Sequence, residues 1–178
     1  GAGHVVAVEI DEMAAGQAFE NVRQSQWRDS IEVVCSDITK YTPDEVKFDI
    51  IVCNPPFFRD SLRSPNAVRS QARHNDSLSY EKLADTVLRL LANDGTFNLV
   101  LPFDMADTFT LIAARRGLYM SKRTKVVTRQ GVAPKRVLLS FVKQQIVHVE
   151  EDELVMFDSN NAETLDYISL VKDFYLKY

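Results

Sequence analysis

Apolar positions along the chain fall into short runs separated by stretches with helical spacing. Residues 4–10 (HVVAVEI), 31–35 (IEVVC) and 48–53 (FDIIVC) are runs of strand length. The third is nearly all apolar, which predicts a strand covered on both faces. Between the first two, residues 13–24 place apolar or small side chains at Met13, Ala14, Ala18 and Val22 and predict a helix. Residues 80–91 predict a second helix through Leu83, Val87, Leu88, Leu90 and Leu91, with Asn93-Asp94-Gly95 as its stop signal. Residues 96–101 (TFNLVL) predict a fourth strand, and residues 105–116 a helix stopped by Gly117. The β-like runs 118–128 and 137–142 surround Gly131 and Pro134 and read as an antiparallel pair joined by a loop. Residues 154–157 are a candidate short strand and 162–176 a final helix. Residues 54–76 have no period and are rich in Pro, Asn, Ser and Arg; they predict a long loop, and loops of that length are often functional.

Alternation of strands with helices is the pattern of an α/β fold with a mostly parallel sheet. A length of 178 residues suits one domain with its own core. Hydrophobic content of 46% and charged content of 26% are those of an ordinary globular domain. No apolar run approaches the roughly 20 residues of a membrane span, and no basic region followed by an apolar stretch opens the chain. Cys35 and Cys53 each sit in or beside an apolar run, where a thiol behaves as a small buried hydrophobe. These features point to a cytoplasmic protein, with a monomer expected. Trp27, Phe174, Tyr175 and Tyr178 read as packing groups. Cysteines and histidines are dispersed without metal-ligand spacing.

Charge is unevenly spread. The net charge is -4, yet residues 115–136 hold eight basic side chains and no acid, and residues 59–74 hold four arginines against Asp60 alone. Residues 150–178 hold eight acids and two lysines. The overall balance argues against nucleic acid, while the local pattern fits either a basic binding face or a solvated surface.

In open α/β sheets ligands bind beyond the carboxyl ends of the strands, and three polar groups fall at three successive predicted strand ends: Glu9, Asp37 and Asn54. A carboxylate at Glu9 can accept from both ribose hydroxyls of a nucleoside, and Asp37 can accept from an adenine amino group; Ile10, Ser36 and Ile38 flank them. Each acid alone is equally the mark of a turn or a helix N-cap. Asn54-Pro55-Pro56-Phe57 is more specific. Two prolines end the strand and fix two φ angles, so the turn is stiff. The Asn54 side-chain oxygen and the Pro55 carbonyl can then accept from an exocyclic NH₂, localise electron density on its nitrogen and aim it at an electrophile. Phe57 can stack on a planar base, with Asn54, Pro55, Pro56 and Phe57 forming the catalytic string.

Strand, Asn-Pro-Pro-aromatic and long loop together resemble the class I S-adenosylmethionine-dependent amino-methyltransferases. Within that group the likeness is nearest to the bacterial tRNA (adenine-N6) methyltransferases that act beside the anticodon of a valine tRNA. It rests on Val8-Glu9-Ile10-Asp11, on Asn54-Pro55-Pro56-Phe57-Phe58, on Arg69-Ser70-Gln71-Ala72-Arg73-His74 with Leu78 and Tyr80, and on Lys135-Arg136-Val137-Leu138-Leu139. The resemblance implies a Rossmann-like, mostly parallel sheet with a terminal antiparallel hairpin. It implies S-adenosylmethionine as cofactor, held by Glu9, Ile10, Ser36, Asp37, Ile38 and Asn54, and tRNA as partner. Arg59, Arg63, Arg69, Arg73, His74, Lys122, Arg123, Lys125, Arg129, Lys135 and Arg136 are the RNA-contact candidates. A stacked anticodon base must be extruded to reach such a pocket.

That family opens with a strand and a glycine-rich loop. Gly1-Ala2-Gly3 runs straight into a strand instead, so residues 1–178 are expected to be one methyltransferase domain, incomplete at its N-terminus. Asn-Pro-Pro-Phe is also similar to the string in ribosomal RNA guanine-N2 methyltransferases, and Asn-Pro-Pro-Tyr belongs to those that modify release-factor glutamine. A non-catalytic RNA-binding module with a degenerate cofactor site is the reading of another class.

Overall fold

The computed structural model describes residues 2–44, 46–55 and 78–175. They divide into two compact units, Gly1–Val46 and Lys47–Tyr178.

In the first unit β1 (Val5–Glu9) and β2 (Ile31–Cys35) pair in parallel, Val5 opposite Ile31 through Glu9 opposite Cys35. A parallel pair needs a crossover, and α1 (Glu12–Gln24) supplies it. The helix starts at Glu12 because Asp11 caps it: its carboxylate accepts from the Ala14 N–H at 2.8 Å, and Glu12 adds negative charge to the first turn. Two strands and one helix bury little. Ala15 is the buried apolar side chain of this unit among the described residues, and Phe19 and Trp27 are exposed. The strand expected to be buried is accordingly half open, with Val5 40% exposed.

The second unit builds the larger sheet. Its elements are β3 (Phe48–Cys53), α2 (Tyr80–Leu90), β4 (Leu91–Pro102), a 3₁₀ turn (Phe103–Met105), α3 (Ala106–Ala114), β5 (Tyr119–Arg129), β6 (Arg136–Val142), β7 (Glu150–Phe157) and α4 (Leu165–Val171). The strand order is β3-β4-β6-β5-β7. β3 and β4 are parallel, β6 lies antiparallel between β4 and β5, and β7 runs parallel to β5. The antiparallel hairpin expected from the residues around Gly131 and Pro134 is thus present. Period-two burial along β4 sends Phe97, Leu99 and Leu101 into the core, where Val137, Leu139 and Phe141 of β6 meet them. α2 contributes Leu83, Ala84 and Val87, and α3 contributes Phe109 and Ala113. The Phe109 ring sits edge-on to Phe141 and to Tyr80, each at 5.3 Å between centroids.

Several expectations are corrected. Among the described residues β3 is covered on one face only: Ile51 and Cys53 pack against the core, while Ile50 and Val52, on the opposite face, are 65% and 74% exposed. Asn93-Asp94-Gly95 is no helix stop. α2 ends at Leu90, Leu91 turns at once into extended backbone, and Gly95 lies inside β4. Gly117 does end the helix before it, with φ of 91°. β7 begins at Glu150, earlier than the apolar run suggests, while α4 is shorter than the final helix expected. Trp27, Phe174 and Tyr175 are exposed rather than packed, and Tyr178 lies outside the described residues. Cys35 is exposed; Cys53 is half-buried.

Candidate functional site

Two clusters of candidates stand at sheet ends, one in each unit. In the first, parallel pairing brings the carboxyl ends of β1 and β2 side by side. Glu9 is opposite Cys35, and the Ser36 N–H donates to the Glu9 carbonyl at 2.9 Å. Glu9, Ile10, Ser36, Asp37 and Ile38 therefore share one sheet end. Short bonds fix both carboxylates. Glu9 Oε1 accepts from the Asp11 N–H at 2.8 Å. Asp37 Oδ1 accepts from the Thr39 N–H at 2.9 Å and the Thr39 hydroxyl at 2.7 Å. Both acids thus serve as local turn residues, and that same anchoring sets their direction. Two oriented, partly exposed acceptor groups on adjacent strand ends match the hydroxyls and amino group of a nucleoside, so the residues present fit an adenosyl group. Ile10 is 64% exposed beside them and offers an apolar surface.

In the second unit β3 ends at Cys53, opposite Leu99 of β4. Asn54 follows, exposed, and Pro55 is buried. Pro55 has no N–H to continue a ladder, so the strand stops there, and its buried ring anchors the turn that presents Asn54. Pro56, Phe57, Arg59, Arg63, Arg69, Arg73 and His74 lie outside the described residues.

The neighbouring strand end carries Phe103, which sequence reasoning missed. Phe103 is the first residue beyond β4, and its N–H donates to the Lys135 carbonyl at 3.2 Å. The Arg123 guanidinium lies over its ring, 5.4 Å from the centroid. Burial and then the nearby Asp104 carboxylate raise the Tyr80 hydroxyl above the usual tyrosine range. The signal was available: residues 96–101 form an apolar run before Pro102-Phe103, as residues 48–53 do before Asn54-Pro55.

The described basic candidates are not gathered into one open face. Lys122 pairs with Glu150, and that hydrogen bond raises its ammonium above the ordinary lysine range. Arg123 donates to Asp107 at 2.9 Å, with its side chain only 16% exposed. Lys125 stands opposite Glu153 in the β5–β7 register. Arg129 donates to Asn161 Oδ1 at 2.6 Å. Lys135 and Arg136 are exposed at the start of β6. The acids 150–153 therefore line up beside the basic strand, a pairing across some 28 residues of sequence that charge counting does not reveal.

Burial pushes the Cys53 thiol up to about 11. Among the described residues no group of three or more His, Cys, Asp or Glu side chains could hold a metal ion. Nor is any described helix long and apolar enough to cross a membrane.

Residues 1–101 match the family model described as "Methyltransferase small domain". A protein of Bacteroides fragilis named tRNA1(Val) (adenine(37)-N6)-methyltransferase is 46% identical over 177 residues, covering 97% of this chain and 73% of its own. One of the same name from Haemophilus influenzae is 39% identical over 175 residues, covering 98% and 73%. Among solved structures, a protein described as a predicted O-methyltransferase from Agrobacterium tumefaciens superposes with TM-score 0.71 at 18% identity, covering 95% of this chain and 77% of that one. A glycopeptide N-methyltransferase complexed with S-adenosyl-L-methionine gives 0.58 at 13% identity, covering 80% and 73%.

Proposed function

Because this chain belongs to the methyltransferase small-domain family, we propose that it transfers a methyl group from S-adenosylmethionine to the exocyclic N6 of an adenosine in tRNA. The fold is the Rossmann-like α/β class of such enzymes. The observation that carries the substrate is the 46% identity to a tRNA adenine-N6 methyltransferase over 97% of this chain. The family match runs across the boundary between the two units, which supports reading residues 1–178 as a single methyltransferase domain.

S-adenosylmethionine, when bound, supplies an electrophilic methyl group. Glu9 would accept from its ribose hydroxyls and Asp37 from its adenine amino group, with Ile10, Ser36 and Ile38 beside them. The Asn54 side-chain oxygen and the Pro55 carbonyl would accept hydrogen bonds from the two N6–H groups of the extruded target base. Those bonds draw the amino lone pair out of the ring and orient it, which is positioning rather than strong base catalysis. Pro56 and Phe57 follow in the string, with Phe57 as the stacking partner. Arg136 and Lys135 on the hairpin, with the arginines 59, 63, 69 and 73, contact phosphates. The relatives' shared name points to adenosine 37, beside the anticodon. The protein acts in the cytoplasm, as a monomer.

The test is incubation of the protein with methyl-labelled S-adenosylmethionine and unmodified total tRNA, then nucleoside analysis. Labelled N6-methyladenosine is expected. A folded, cofactor-binding protein that leaves tRNA unlabelled overturns the reading and moves the search to ribosomal RNA guanine and release-factor glutamine.

A further inference from the structure

Phe103 has no part in the chemistry described so far, yet its placement is closely specified. Cys53 stands opposite Leu99 in the parallel β3–β4 pair. β3 and β4 run parallel, so Asn54, the first residue beyond β3, and Phe103, the first beyond β4, leave neighbouring strand ends.

Three contacts fix this residue. Its backbone N–H donates to the Lys135 carbonyl at 3.2 Å. Its side chain packs partly against the core that includes Leu101 and Phe109. The Arg123 guanidinium covers the ring at 5.4 Å, and Arg123 is itself tied to Asp107 at 2.9 Å. Arg123 is costly to place there: its side chain is 16% exposed and its Nε is buried without a hydrogen-bond partner. A ring wanted only for core packing needs no such clamp, since a leucine would fill the space. A ring that must stay rigid while part of it remains open does.

We propose that Phe103 is a contact residue for the target base, its open part forming a wall of the pocket in front of Asn54 and Pro55, and that Arg123 is the positioning residue that holds it. The inference rests on the base-methylation reading above and deepens it. It assigns to the rim of β4 a share of the preference for a flat heteroaromatic acceptor, and it takes Arg123 out of the set of phosphate contacts.

The experiment compares wild type, Phe103→Leu, Phe103→Tyr and Arg123→Lys for steady-state methylation of tRNA, for the KM of S-adenosylmethionine and for thermal midpoint. Wild-type activity tests the underlying reading by itself, so an inactive wild type defeats that reading and not the role of Phe103. With wild type active, Phe103→Leu is expected to lower kcat/KM for tRNA at least about tenfold, with the cofactor KM and thermal midpoint held. Phe103→Tyr recovers most of that loss, because it restores a ring rather than a volume. Arg123→Lys, which keeps the charge and loses the planar stack, shifts kcat/KM in the same direction by a smaller factor. Full activity in Phe103→Leu overturns the proposal. So does a loss in Phe103→Leu and Phe103→Tyr alike that tracks a fall in thermal midpoint, since core packing alone produces that. If Phe103→Leu does not fold, Arg123→Lys decides: unchanged kcat/KM at unchanged thermal midpoint is the overturning result.

Discussion

A Cβ built on Gly95 would stand 2.9 Å from the Phe48 carbonyl oxygen and 3.0 Å from that of Asp49, so β4 passes the backbone of β3 at a distance only glycine permits. The pairing is irregular at this point: Phe48 faces Leu91 and Ile50 faces Thr96, a register shift absorbed beside the glycine. The next in-register pairs run from Ile50 to Cys53 and set where Asn54 emerges. Gly95→Ala is expected to cost about 1–3 kcal/mol, because backbone oxygens cannot swing aside as a side chain can. Urea unfolding measures it, and a midpoint equal to wild type would show that β3 and β4 do not approach this closely.

Asn54 is exposed and makes no contribution to the core, so its replacement separates chemistry from folding. Asn54→Ala is expected to lower kcat for tRNA methylation by about 100-fold or more while leaving the thermal midpoint unchanged. Asn54→Asp keeps an acceptor at the same place and is expected to retain more activity than the alanine variant. Equal rates for wild type and Asn54→Ala would defeat the assignment of the amino-group acceptor.

Cys53 offers a check on burial at the end of β3. Its thiol is raised from 9.0 to about 11 by desolvation, so the folded state favours the protonated form. Below pH 9 both folded and unfolded thiols are protonated and stability is insensitive to this group. Between pH 9 and about 11 the unfolded thiol ionises first, and stability falls as pH rises. The thiolate is also the reactive species, which keeps the folded thiol inert at neutral pH. Iodoacetamide at pH 8 is expected to label the exposed Cys35 well before Cys53, read by peptide mapping. Equal labelling would mean that the end of β3 is open.

What the chain discloses in sequence depends on how local the cause is. The apolar run 96–101 inside β4 and the stop at Gly117 are settled within a few residues, and both are legible. Asn54-Pro55 is legible for the same reason, since prolines act on their own backbone. Gly95 is not: its necessity comes from Phe48, 47 positions earlier, so it reads as a helix stop. The strand β3 reads as buried on both faces, because composition reports what could be covered and not what covers it. Phe103 looks like one more core phenylalanine until Arg123 is found lying over it.

The least local feature carries the last prediction. Residues 115–136 look like an uninterrupted basic surface, yet β7 returns parallel to β5 and sets Glu150 opposite Lys122, Glu151 opposite Arg123 and Glu153 opposite Lys125. Lys122 and Glu150 form an ion pair. Both partners are largely exposed, so the pair adds little to stability. Its larger consequence is for partner choice, because a lysine held by a carboxylate must exchange that partner for a phosphate before it can bind RNA. Glu150→Gln removes the competitor without changing shape. It is expected to leave the thermal midpoint within error, tighten tRNA binding at low salt, and steepen the fall of log affinity with log salt by about one further released ion. Glu153→Gln is expected to act in the same direction through Lys125. Filter binding of unmodified tRNA across a salt series reads both quantities. Unchanged affinity and slope in both variants would mean that β5 does not meet the RNA, and would leave Lys135 and Arg136, at the start of β6, to carry the contact.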